Sequence, residues 1–202
     1  MQSKKDKLVL CLTGNIGTGK STALAIFAGL GAITISSDKI VSDILDGNME
    51  IREKMKNLFG NEVVNESGKI DRHKVSEKVF SDSILLDKLN SILHPLVYDT
   101  VEKLVQQSSG VIVWEIPLLF ETSSEKKCDY TLTLVTNEDT SFSRIQSRGL
   151  DRKKYLAIKS RQMDPMQQKS LSDFVIYNDN TTKELEDACK EIFQDLQIKL
   201  KG

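Results

Sequence analysis

The chain has 202 residues, 39% of them hydrophobic and 28% charged, a composition that can bury a core and excludes wholesale disorder. Twenty-eight basic and 29 acidic side chains leave a net charge of −1, so no global field draws the chain to nucleic acid or to an anionic membrane. Two histidines and three widely spaced cysteines without a C-x-x-C argue against a histidine metal site, a zinc ribbon or a disulfide framework.

The length suits one domain with room for an inserted subdomain. Residues 8–12 form the first apolar run, too short for a signal h-region, and no run reaches membrane-spanning length. The expectation is a cytoplasmic protein with no membrane contact, no nucleic acid and no obligatory protein partner. Residues 8–12 read as a strand buried on both faces. A glycine-rich turn occupies 13–19, and from Lys20 apolar residues recur at helical spacing (Ala23, Ile26, Phe27, Leu30) up to the stop signal Gly31. A second strand covers 33–35. Strand, loop, helix and strand open an α/β fold with a parallel sheet.

From 39 to 107 the patterns are mainly helical. Ile51, Met55, Leu58 and Phe59 share a face, as do Val75 and Val79, and then Leu85, Leu86, Leu89, Ile92 and Leu93; Pro95 is expected to break or restart the helix there. A helical segment of this length between two strands reads as an insertion with a binding role. The α/β pattern resumes with strands at 111–114, 131–135 and 173–177. Asn137 is placed to cap a helix containing Phe142 and Ile145. Thr181-x-x-Glu184 resembles a capping box before a last helix bearing Leu185, Ala188, Cys189, Ile192, Phe193, Leu196 and Leu200. Cys189 and Cys11 read as core packing.

Gly14, Asn15, Ile16, Gly17, Thr18, Gly19, Lys20 and Ser21 satisfy G-x-x-x-x-G-K-[ST]. The glycines let backbone N–H groups converge on phosphate oxygens, and the following helix aims its N-terminus at the same anion. Lys20 supplies charge to the β- and γ-phosphates, and the Ser21 hydroxyl can ligate magnesium. Asp38 follows the second strand, at the strand ends where ligands of parallel sheets bind. It can orient or deprotonate an attacking hydroxyl or hold a magnesium-bound water, or simply cap the helix beginning at Lys39; the pattern leaves the functional and the capping readings open. Eight basic residues crowd 144–169 (Arg144, Arg148, Arg152, Lys153, Lys154, Lys159, Arg161, Lys169) against Asp151 and Asp164. They form either a solvated helix surface or a basic lid over the γ-phosphate, with Arg144 and Arg148 four apart on one helix face. Glu115, after a strand, is either a magnesium-orienting carboxylate or a surface strand end. His94 before Pro95 is either structural or a ligand.

These residues together resemble the dephospho-coenzyme A kinase family. The resemblance runs from about Leu8 to about Ala188. It rests on the phosphate loop, the Asp38 segment, L-H-P-L at 93–96, I-P-L-L-F-E at 116–121, the Arg144/Arg148 and Arg161/Gln162 pairs, and D-F-V-I-Y-N at 173–178. It implies an α/β P-loop kinase core with a five-stranded parallel sheet (1–38 and 108–202), a helical CoA-binding insertion (39–107) and a lid (144–165). It implies ATP and dephospho-CoA as substrates, with Mg2+ accompanying ATP. By position it assigns catalysis to Lys20, Asp38 and Arg144. ATP falls to the loop from Gly14 through Ser21 with Thr22 and Arg148, and magnesium to Ser21. The acceptor falls to Asp38, His94, Pro117, Leu118, Arg161 and Gln162. Two departures stand out: Ser36-Ser37-Asp38 where the family often has D-x-D, and Asn15 where its loop usually has glycine.

Overall fold

The apolar run at 8–12 becomes the middle strand of a five-stranded sheet because it is flanked on both sides and covered on both faces. The computed structural model describes residues 6–201. Residues 1–5 and 202, at the two ends of the expected kinase core, lie outside them. In chain order the elements are β1 (Lys7–Gly14), α1 (Lys20–Gly29), β2 (Ile33–Ser36), α2 (Ser37–Gly47), α3 (Met49–Phe59), α4 (Arg72–Ser81) and α5 (Ser83–Gln106). They continue as β3 (Gly110–Glu115), β4 (Tyr130–Val135), α6 (Glu138–Gln146), α7 (Arg152–Lys159), α8 (Pro165–Leu171), β5 (Phe174–Tyr177) and α9 (Thr182–Lys201). Two compact units result: one holds the chain through Ser36 and from Gln107 onward, the other Ser37–Gln106.

In the first unit the strand order is β2-β3-β1-β4-β5 and every pairing is parallel. Leu10 and Leu12 point to a layer closed by Ala23 and Phe27 of α1 and by Leu185, Cys189, Phe193 and Leu196 of α9. The helix-period residues of α1 and α9 thus meet the period-two residues of the sheet. Burial pushes the Cys189 thiol up to about 12, as suits a packing residue. Thr181 caps α9, its Oγ accepting the Glu184 N–H at 3.2 Å.

Cys11 is buried in the core as expected, but the expectation against disulfides is corrected: it is joined to Cys128, with Cα atoms 5.8 Å apart. Cys11 alternates to the sheet face opposite Leu10 and Leu12. The approach to β4 brings Cys128 beside β1, where Val9 N–H donates to Asp129 Oδ2 at 2.8 Å. The two cysteines are 117 residues apart in sequence, so only strand order reveals their proximity.

The second unit is helical. Its core joins Leu45, Ile51, Met55, Phe59, Val63, Ile70, Val75, Val79 and Leu93. Asn48 caps α3 through the Ile51 N–H, and Asp71 caps α4 through the His73 and Lys74 N–H groups. Asp82 accepts the N–H groups of Ile84 and Leu85 as α5 begins. Pro95 does not break α5, which runs through it for 24 residues. Leu93, Val97 and Val101 are all buried, so one apolar stripe continues across the proline and outweighs its missing N–H. Among the described residues no helix is long and apolar enough to cross a membrane.

Candidate functional site

The turn between β1 and α1 carries the site. Gly14, Gly17 and Gly19 have φ of 141°, 78° and 95°, which L side chains rarely adopt. At Gly17 there is also no room: a Cβ would lie 2.5 Å from the Ser141 carbonyl oxygen and 2.7 Å from its Oγ. The start of α6 is therefore packed directly on the loop backbone.

Each loop carbonyl from Gly14 to Thr18 accepts a hydrogen bond from a side chain. Lys20 Nζ donates to Gly14 O at 2.7 Å and to Asn15 O at 3.1 Å. Thr18 Oγ1 also donates to Asn15 O, at 2.8 Å. Ser141 Oγ donates to Ile16 O at 2.7 Å. Arg144 Nη1 reaches Gly17 O at 3.4 Å, and Asn178 Nδ2 donates to Thr18 O at 2.9 Å. The Thr18 N–H turns back onto Asn15 O at 3.3 Å, so holding the carbonyls this way leaves the loop amides of Gly17 and Gly19, with the first amides of α1, as the donors for an anion at the helix N-terminus.

The end of β5 and helix α6 supply three of the holders. Asn178 follows β5, and its N–H donates to Val135 O at the end of β4. The next residue, Asp179, accepts from Thr136 Oγ1 at 2.6 Å and from the Asn137 N–H at 2.7 Å. These hydrogen bonds, led by that of Thr136, hold the Asp179 carboxyl below its usual pKa, and the charge of Arg144 adds to them. Asn137 caps α6 by accepting the Thr140 N–H at 2.8 Å, and α6 presents Ser141 and Arg144 to the loop.

The basic segment meets the loop from its far end. Gln162 Oε1 accepts the Ile16 N–H at 2.8 Å, and Asn15 Nδ2 donates to Met163 O at 3.3 Å. The side chain of Asn15 therefore serves as a tie, which is how the loop accepts a residue larger than glycine. Glu121, in the turn after β3, accepts the Met163 N–H at 2.6 Å. Pro117 and Leu118 of that turn are partly buried, whereas Arg161 is exposed.

Two expectations change. Arg144 and Arg148 do not share one α-helical face: α6 ends at Gln146 and Arg148 lies in the turn beyond. The Leu150 N–H bonds Ile145 O, the Gly149 N–H bonds Gln146 O, and Gly149 has φ 85°, a Schellman closure that ends the helix. Glu115 is not a surface strand end. It is 6% exposed, at the carboxyl end of β3, in register with Leu12 and Ser36.

In the helical unit, Asp38 stands inside the first turn of α2, so it is not the residue that precedes and caps the helix. It is exposed. His94 lies in α5 beside Tyr98, ring centroids 5.9 Å apart, and burial lowers its pKa. The sequence reading missed Ser141, Tyr155 and the loop-holding role of Asn178. Asn178 has a legible signal, a polar residue just past a strand end; Ser141 and Tyr155 have none.

A magnesium ion binds few protein groups and keeps water and substrate phosphate oxygens. Among the described residues no group of three or more His, Cys, Asp or Glu could hold a metal. The exposed Ser21 hydroxyl at the start of α1 and the buried Glu115 carboxylate fit such sparse ligation.

The model of the dephospho-CoA kinase family matches residues 8–184. A dephospho-CoA kinase from Leptospira interrogans is 31% identical over 201 residues, covering 98% of this chain and 97% of that one. The crystal structure of TT1252 from Thermus thermophilus superimposes with a TM-score of 0.82 at 29% identity, over 95% of this chain and 99% of the other. A dephospho-CoA kinase from Campylobacter jejuni gives 0.64 at 26% identity, over 95% and 98%. With a parallel five-stranded sheet, a phosphate loop held by α1, α6 and the end of β5 and a family match over nearly its whole length, the chain belongs to the dephospho-CoA kinase family.

Proposed function

We propose that the chain transfers the γ-phosphoryl group of ATP to the ribose 3′-hydroxyl of dephospho-CoA, giving coenzyme A and ADP in the last step of coenzyme A synthesis. The observation that carries this reading is the loop of Gly14 to Lys20, with each carbonyl from Gly14 to Thr18 bound by a side chain, so that the Gly17 and Gly19 amides and the first amides of α1 are left to the triphosphate. Phosphoryl transfer has a loose transition state with charge on the peripheral oxygens, so positioning and electrostatics dominate.

Lys20 releases its two carbonyl contacts and moves its charge onto the β- and γ-phosphates. Thr22 and the amides around it complete the ATP site. Arg144, already beside Gly17 and Gly19, offers a planar fork to two phosphate oxygens, and Arg148 joins it from the turn. Ser21 would hold Mg2+, with Glu115 orienting a water of its shell; the ion, when bound, neutralises charge on the β- and γ-oxygens. Asp38 accepts the proton of the ribose hydroxyl. The helical segment 39–107 takes the acceptor, with His94, Pro117, Leu118, Arg161 and Gln162 contributing, and 144–165 acts as the lid that excludes water. A cytoplasmic location is part of this proposal.

The test is a product assay with purified protein and Mg-ATP. ADP should form in step with coenzyme A when dephospho-CoA is present. Nucleosides and nucleoside monophosphates should give none. ADP formation with no acceptor dependence would make the chain a nucleotide-hydrolysing switch instead.

A further inference from the structure

Both backbone polar groups of Ile16 are held by side chains from outside the loop. Its N–H goes to Gln162, and its carbonyl accepts from Ser141 Oγ at 2.7 Å. Ser141 Oγ is in turn 3.1 Å from the hydroxyl of Tyr155. A serine hydroxyl has one proton to give. Because Ser141 gives it to Ile16, Tyr155 is the donor of the second bond, and the chain runs Tyr155 to Ser141 to Ile16. Ser141 is 4% and Tyr155 1% exposed, so water does not compete strongly, and bonds in such a chain polarise one another. Tyr155 belongs to α7, in the basic segment. Its ring packs edge-on against Phe142, centroids 5.4 Å apart, and α7 is tied to α6 by Lys159 and Arg152 on Glu138.

We propose that Tyr155 is a positioning residue for phosphoryl transfer. Through Ser141 it fixes the Ile16 carbonyl, and so couples the placement of α7 to the shape in which the loop receives the triphosphate. This rests on the reading of the loop as the triphosphate site. Tyr155→Phe removes one oxygen and keeps the ring packing. Losing one hydrogen bond in the chain corresponds to an effect of about threefold to tenfold.

The experiment measures kcat, KM for ATP, KM for dephospho-CoA, direct titration with a non-hydrolysable ATP analogue, and Tm. The proteins are the parent chain, Tyr155→Phe, Ser141→Ala, the double variant and Lys20→Ala. Tyr155→Phe should raise KM for ATP and weaken the analogue by about threefold to tenfold, leaving KM for dephospho-CoA unchanged. Adding it to Ser141→Ala should cost nothing further, because the relay is already cut. An unchanged ATP KM, additive losses in the double variant, or a lowered Tm with both KM values moving together would each overturn the relay. If Lys20→Ala weakens the analogue while Tyr155→Phe does not, the relay falls and the loop assignment stands. If neither weakens it, the loop assignment itself falls.

Discussion

The phosphate loop and the helical unit are built by opposite means. The loop has little apolar side-chain mass. Its shape comes from three glycines at positive φ and from directional hydrogen bonds supplied by α1, α6 and the end of β5. The unit Ser37–Gln106 is an apolar cluster with capped helices around it, and its ion pairs are largely exposed ones such as Lys54–Glu50 and Lys103–Asp99, worth little each. The difference separates two kinds of sensitivity. In the loop, changing one atom should alter chemistry and leave the fold. In the helical unit, lost volume should lower stability and leave the phosphate site.

Asp38 is the residue that tests this division hardest, because it is a polar group given a chemical role at the start of the apolar unit. Asp38→Asn keeps the size and removes the basic oxygen. General-base help is worth about 10² to 10⁴ in rate, so turnover should fall by that factor with the ATP analogue binding as before. A variant within a few-fold of the parent would strip Asp38 of the role and leave the helical unit no part in the proton transfer. Lys20→Ala comes next. Removing one preorganised charge stabiliser costs about 10² to 10³ in turnover, and Tm should barely move. Near-parental turnover would break the loop's side of the comparison.

The two regions also differ in how far sequence reveals them. The loop motif, the flanking strand and helix, and the five strands follow from local patterns: apolar runs, helical spacing and glycines at fixed offsets. The holders of the loop do not. Ser141, Asn178 and Gln162 lie 125 to 160 residues from their partners, and their convergence depends on strand order. The Cys11–Cys128 bridge escaped for the same reason. At Pro95 local propensity predicts a break, and the buried stripe of Leu93, Val97 and Val101 overrides it. The end of α6 depends on Gly149, whose positive φ is hard to distinguish from a tolerated helical glycine in sequence.

On the apolar side, Met55 is fully buried in the helical cluster. Met55→Ala should lower the unfolding free energy by about 2–5 kcal/mol, the usual cost of lost transfer energy plus a cavity. Denaturant unfolding reads this directly. The ATP analogue should bind the folded variant with parental affinity. A weakened analogue in fully folded protein would mean that packing in the helical unit reaches the loop.

The smallest effect is expected at a cap. Asn48 sits in extended backbone, φ −109° and ψ 109°, and its Oδ1 accepts the Ile51 N–H at 3.2 Å. Its own carbonyl accepts the Arg52 N–H at 3.0 Å, which any residue can do. The side-chain bond is therefore the separable part. Asn48→Ala leaves the Ile51 N–H to water and should cost about 1 kcal/mol of stability. Asn48→Asp keeps an acceptor and adds a negative charge at the positive end of α3, so it should hold or slightly raise stability near neutral pH. Neither change touches the loop, and kcat and both KM values should match the parent in the folded protein. A raised KM for dephospho-CoA in Asn48→Ala, with stability unchanged, would mean that the start of α3 binds the acceptor rather than closing a helix. The contrast between a loop sensitive to single atoms and an apolar cluster sensitive to lost volume would then fail at its weakest point.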